Sequence, residues 1–351
     1  VSSLWCNVHG HRVPQIDQAV RDQLDQVAHS TLLGLASPPS IEFAAMLCDH
    51  VNAELQPLTT NHQPLNKVFY SDAGATAVEV AFKMAVGYWH HTGKPEKRKF
   101  IGLAGAYHGD TTGSMSVGYS ELFHKPFVSM VFDVTTFPHV DPLRAVTTPP
   151  RSPRCDNVGV FPSEDEALTQ SLMQDCLTTL DQLLTQQAHE AAAIVIEPVM
   201  QGAAGMICQP PGFVRGVREL CDKHNVLLIA DEVATGFGRT GKFLACAHDC
   251  VTPDILCLAK GITGGYLPLA VTMTTDRIEQ AFTGEPDERP AKTLYHGHTY
   301  TGNPLACAAA IASLKLFDDN NVLDHANKSA QLIAEKLNTL RDHRNVLDIR
   351  Q

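Results

Sequence analysis

Three short runs constrain this chain more than anything else in it: AAAIVIEPV (191–199), NVLLIADEV (225–233) and DILCLAK (254–260). Each is apolar without interruption rather than in alternation, and helical patterns over 166–189 and 212–224 lie before and between them. A strand that is apolar at every position must be buried on both faces, as in a parallel sheet covered by helices on both sides. KVFYSDAG (67–74) and KFIGLAGAYHGD (99–110) each read as a strand running into a small-residue turn. Between them, TAVEVAFKMAVGYWHHTG has the spacing of an amphipathic helix ended by Gly93. Residues 15–60 also read as helical, whereas 131–166, rich in Pro, Thr and charge around PPRSPRCDN, read as a surface excursion. No internal repeat is present.

Open α/β sheets bind their ligands at the carboxyl ends of the strands. Four of the expected ends carry polar groups: Ser71-Asp72, Glu197, Asp231-Glu232 and Lys260. A lysine between an apolar run and a glycine-rich turn has two readings. It is either a side chain that snorkels to water or an amine kept partly dry for covalent chemistry. Asp231 alone would be a turn acceptor or helix cap. Taken together with Lys260 it gains a specific meaning, because pyridoxal phosphate needs a lysine to carry it and a carboxylate to hold its ring nitrogen protonated. Backbone N–H groups for the phosphate are on offer where Gly74 and Ala75 open a helix. Tyr107 is an aromatic available to stack on the ring.

Other readings are weaker. GFGRTGK (236–242) fits both G-x-G-x-x-G and G-x-x-x-x-G-K. As a phosphate loop it fails at Phe243, where Ser or Thr is needed for magnesium, and as a dinucleotide turn it comes five residues too late after its strand. The glycines are expected to shape a tight loop beside Asp231. A formal charge of −11 leaves no basic footprint for nucleic acid, and no apolar run is long enough to span a bilayer. VSSLWCNVHGHRV has neither the charged nor the apolar region of a secretory leader, so a cytoplasmic location is expected. The ten cysteines lack zinc-site spacing and read as buried free thiols, and the seventeen histidines have no matching cluster, so no metal is expected. A chain of 351 residues suggests about two domains. It begins on Val1 rather than methionine, and the expectation is a piece of a longer polypeptide.

In order along the chain, SDAGATAVEVAFKMA, AYHGDTTGSMSVG, IVIEPVMQGAAGM, LLIADEVATGFGRTGK, PDILCLAKGITGG and HGHTYTGNPLACAAA resemble the class III pyridoxal phosphate-dependent aminotransferases. The resemblance covers nearly the whole chain and is weakest at 131–190. It implies an aspartate-aminotransferase-like fold, with a mainly parallel central sheet, helices on both faces and an incomplete small second domain. The implied division is an N-terminal segment 1–50, a large cofactor-binding domain 51–315 and the start of a small domain 316–351. It also implies that Lys260 carries the cofactor and shuttles the proton, while Asp231 partners the ring nitrogen. Val233 would lie under the ring and Tyr107 above it, with Gly74 and Ala75 at the phosphate.

His298 and Thr299 match the pair that reaches the phosphate of the second subunit, which implies a homodimer with shared sites. Glu197 would brace the site, and His108 matches a loop-fixing position. Gly297 and Tyr107 match substrate-contact positions. Leu4-Trp5 stands where the class branch closest to this chain has two tryptophans, which changes that contact or passes it to Trp5. Ala259 replaces the usual Gly or Ser before the lysine. That branch serves biotin synthesis, implying S-adenosylmethionine as donor and 8-amino-7-oxononanoate as acceptor. The alternative is another class III enzyme for ω-amino acids or diamines. The substrate carboxylate clamp of the class is expected outside residues 1–351.

Overall fold

The structure, a computed structural model, describes residues 2–55, 63–140, 166–285, 287–289 and 291–341, together with 343, 346 and 349. Its centre is a seven-stranded sheet in the order β1-β9-β8-β7-β4-β2-β3. The strands are β1 (Leu65–Ser71), β2 (Lys99–Leu103), β3 (Thr135–Phe137), β4 (Ala191–Ile196), β7 (Leu227–Asp231), β8 (Ile255–Leu258) and β9 (Ala270–Thr275). A two-stranded hairpin, β5 (Met200–Gln201) with β6 (Ile207–Cys208), follows β4.

The reason the central strands are apolar throughout is visible in how they divide their side chains. Ile194, Ile196, Leu228, Ala230, Leu256 and Leu258 join one core cluster. Their alternate neighbours Ala193, Val195, Leu227, Ile229, Ile255 and Cys257 join the other. Side chains alternate across a strand, so two buried faces require apolar residues at every position. The helix Gly74–His91 packs on the second face through Ala77, Val78, Ala81, Phe82 and Ala85. The helices Pro38–Glu54, Glu166–Gln187, Phe213–His224 and Pro304–Asp319 contribute to the first.

The structure departs from the sequence reading in several places. The sheet is mainly parallel as expected, but β9, which the sequence reading did not identify, runs antiparallel to both β1 and β8. AVTMTT escaped notice because its threonines look polar. In place, Thr272 Oγ1 donates to the Ala77 carbonyl at 2.7 Å and Thr274 Oγ1 to that of Asp254 at 2.9 Å, so both hydroxyls are buried without loss. The helical stretch expected over 15–60 is two helices, Pro14–Leu24 and Pro38–Glu54. Ser37 caps the second, which then opens on two prolines; residues 56–60 lie outside the described residues.

The expected excursion 131–166 contains β3, which pairs parallel with β2 and buries Phe137 completely. The PPRSPRCDN segment lies outside the described residues. Among the described cysteines, Cys176, Cys221, Cys246, Cys257 and Cys307 are buried free thiols, but Cys250 is exposed. No described helix is long and apolar enough to cross a membrane, and no metal-binding cluster occurs among the described residues. Residue 50 lies inside the helix Pro38–Glu54 and residue 315 inside Pro304–Asp319.

Candidate active site

The polar residues that end β1, β4, β7 and β8 meet in one place. Asp72, Glu197, Asp231 and Lys260 all line a single cavity of about 980 Å³. Lys260 follows β8 at the start of a short 3₁₀ turn, with its backbone in the left-handed region at φ +44°. Burial pushes its amine pKa down, and the charges of Asp231 and Glu197 oppose that without cancelling it. Its Nζ stands 5.3 Å from the centre of the Trp5 ring. The amine is thus partly buried rather than extended fully into water.

Asp231 is almost fully buried, and both of its oxygens are engaged. Oδ1 accepts from the Val233 amide at 3.0 Å, and Oδ2 is 2.7 Å from His108 Nδ1. Burial alone would lower the pKa of His108. The hydrogen bond and charge of Asp231, with the charge of Glu197, outweigh burial and raise it. His108, expected to fix its loop, is hydrogen-bonded to the Asp231 carboxylate. Its Nε2 is buried without a hydrogen-bond partner among the described residues. Glu197 braces two walls of the cavity, accepting from the Tyr107 amide at 2.9 Å and from the Gly202 amide at 3.0 Å.

Gly74 and Ala75 line the cavity at the N-terminus of an 18-residue helix, where amide hydrogens lack partners within the helix. A Cβ on Gly74 would come within 2.6 Å of Val233 Cγ1, so glycine is what lets that helix end approach β7. A Cβ on Gly109 would run into Ala75, and its φ of +112° also calls for glycine. Tyr107 is half-buried and donates from its hydroxyl to Asp110 Oδ2 at 2.8 Å; burial, helped by Asp110, pushes its pKa up to about 12. Leu4 and Trp5 both line the cavity, Leu4 largely exposed and Trp5 against Gly202. The sequence reading missed Phe123 and the Tyr266–Leu269 stretch, which complete the wall and carry no motif of their own.

Gly297, His298 and Thr299 do not line this cavity. They lie on a strip held from beneath by Lys83, which donates to the Tyr295 carbonyl at 2.5 Å, and by Thr301, whose hydroxyl donates to the Tyr70 carbonyl at 2.7 Å. The residues of GFGRTGK do not line it either.

The residues present fit pyridoxal phosphate. The cavity is large enough for it, a glycine-made approach leaves free amides at a helix N-terminus, and Ser71 Oγ is a buried hydroxyl without a partner among the described residues. A buried carboxylate and an amine face the same space.

The class defined by this fold and site agrees with the comparisons to known proteins. A family model described as Aminotransferase class-III matches residues 1–351, and the chain belongs to that family. An adenosylmethionine-8-amino-7-oxononanoate aminotransferase from Geobacter sulfurreducens is 46% identical over all of this chain and 71% of its own length. Its namesake from Nitratidesulfovibrio vulgaris is also 46% identical, the match covering 60% of that protein. Among solved structures, the enzyme of that name from Methanocaldococcus jannaschii superposes with a TM-score of 0.81 at 41% identity, over 100% of this chain and 71% of that one. An amine transaminase from an uncultivated Pseudomonas species, in a PLP-bound form, gives 0.82 at 34% identity, over 97% and 70%.

Proposed function

We propose that this chain moves an amino group from S-adenosylmethionine to 8-amino-7-oxononanoate, giving 7,8-diaminononanoate for biotin synthesis, with pyridoxal phosphate as cofactor. The observation that carries the reading is that the Lys260 amine and the Asp231 carboxylate, at the ends of neighbouring strands β8 and β7, open into one cavity. The substrates follow the names of relatives such as those from Geobacter sulfurreducens and Aquifex aeolicus, 46% and 44% identical.

When bound, the cofactor supplies an electron sink for the negative charge that develops at the substrate α-carbon. Lys260 would hold the cofactor and would carry the proton to and from that carbon, a task helped by its lowered pKa. Asp231, oriented by His108 and the Val233 amide, would partner the ring nitrogen. Val233 and Tyr107 would pack against the ring, and the amides of Gly74 and Ala75 would take the phosphate. Leu4, Trp5, Tyr107 and Lys260 contact the substrate in this chain's cavity. Gly297, His298 and Thr299, lying away from that cavity, serve the substrate and the phosphate in a second copy, so the working unit is a homodimer. The reading places it in the cytoplasm.

A second reading, an amine or ω-amino acid transaminase, draws on the comparable likeness to the Pseudomonas amine transaminase. A donor screen with 8-amino-7-oxononanoate as acceptor tests both. S-adenosylmethionine is expected to outperform 4-aminobutyrate, ornithine and lysine. Efficient transfer from 4-aminobutyrate to 2-oxoglutarate, with no diaminononanoate formed, would move the protein to the second reading.

A further inference from the structure

Lys260 sits at φ +44°, a left-handed conformation that a residue with a Cβ adopts only at a cost. Something must hold it there. The next residue, Gly261, has no side chain, and a Cβ added to it would come within 2.8 Å of Phe237 Cβ and 3.1 Å of Val8 Cγ1. Phe237 therefore fills the space over the lysine turn. It belongs to GFGRTGK, the motif that neither nucleotide reading explained, and it is buried with φ +56°. Its ring meets Phe243 edge-on at 5.3 Å and Phe317 at 6.3 Å, so it has little room to withdraw.

The loop that carries Phe237 is closed from both sides. Gly238 N donates to the Phe243 carbonyl at 3.4 Å, and Gly241 N to the Gly238 carbonyl at 3.1 Å. Glu232, fully buried beside Asp231, binds both ends of the segment. Its carbonyl accepts from Gly236 N at 2.9 Å, and its carboxylate accepts from Ala245 N at 2.6 Å and Cys246 N at 2.8 Å. Arg239, at the loop tip, donates to the Trp5 carbonyl at 3.4 Å.

We infer that the glycine loop Gly236–Lys242 is a clamp on the Lys260 turn, with Phe237 as its positioning residue and Glu232 as the catch that keeps it shut. The inference rests on the proposed role of Lys260. The clamp replaces the nucleotide-binding purpose the motif suggests with a mechanical one. A reactive amine must be held to within a fraction of an ångström, and a loop packed against its backbone does that without touching the chemistry.

The test is cofactor capture, measured as the rise of bound-cofactor absorbance after mixing apoprotein with pyridoxal phosphate, alongside kcat and KM. Borohydride trapping and peptide mapping of the wild type serve as the control. Gly261→Ala should slow capture and lower kcat by about 10- to 100-fold, with KM changed far less. Phe237→Ala should slow capture while Phe237→Leu stays near wild type, which keeps the test open if Gly261→Ala does not fold. Wild-type capture in both Gly261→Ala and Phe237→Ala overturns the clamp. Trapping of the wild type at a lysine other than Lys260 overturns the proposed function, and the clamp with it.

Discussion

His108 Nδ1 and Asp231 Oδ2 stand 2.7 Å apart, on residues 123 positions apart in sequence, with both side chains closed off from solvent. The pair joins the turn after β2 to the end of β7. Its effect is to fix the orientation of the Asp231 carboxylate, while the carboxylate in turn raises the pKa of His108 against burial. Removing the imidazole by His108→Phe leaves Asp231 Oδ2 buried without that partner, a kind of loss that costs about 3–5 kcal/mol. A lower melting temperature and weaker pyridoxal phosphate binding are expected. His108→Gln, which can still donate, should lose less of each, and equal losses in the two variants would argue against the pairing.

Lys260→Ala should abolish transamination and leave no borohydride-trapped pyridoxyl group, because no other amine replaces this one. The check is mass mapping of the trapped wild type and variant. A label found on Lys83 or Lys242 would reassign the site.

Asp231→Asn should fold and lose turnover by about 10²-fold or more, since an amide cannot stabilise a protonated ring nitrogen as a carboxylate does. The charge of Asp231 also holds up the pKa of Lys260 against burial. Without it the amine pKa falls further, so labelling of Lys260 in the apoprotein by an amine reagent should become complete at a lower pH. Unchanged labelling would contradict the electrostatic coupling.

Glu232 carries a pH signature of its own. Burial pushes its carboxyl up to about 7 against the opposing amides of Cys246 and Ala245. The folded chain thus binds this proton more tightly than the unfolded chain, whose carboxyl keeps the ordinary value near 4.5. The stability contributed by this proton is full below about pH 4.5 and is lost as pH rises through about 7. Unfolding free energies measured between pH 5 and 8 should fall more steeply in the wild type than in Glu232→Gln. Parallel curves would mean that the group titrates elsewhere.

What the sequence made legible follows from how local each signal is. Asp231 and Lys260 announce themselves because each is the first charge after an apolar run. Their strands are buried on both faces, so every residue of those strands carries the pattern. β9 was hidden because its threonine hydroxyls are satisfied by carbonyls of Ala77 and Asp254, partners set only by the fold. The contact of His108 with Asp231, and the packing of Phe237 over Gly261, are likewise products of long-range closure rather than of neighbouring residues. Leu4 and Trp5 were found by resemblance alone, since nothing in VSSLWCNVHG says that it folds over β-strand ends that lie far along the chain.

The antiparallel strand β9 also sets a clock. β1 lies at one edge of the sheet, and its partner there is β9, with Leu65 opposite Thr275 and Ser71 opposite Ala270. As the chain emerges from the ribosome, β1 must therefore wait for a strand about 200 residues behind it. At about 5–20 residues per second, that is a delay of roughly 10–40 s. Until β9 arrives, β1 lacks its strand partner, although Val233, against which Gly74 packs, has already been made. Pairings separated so far along the chain are slow to form and leave sheet edges open meanwhile. A nascent chain halted before residue 270 should thus be unable to hold the cofactor and should be open to proteases around Leu65–Ser71, whereas one released after Thr275 should be protected there.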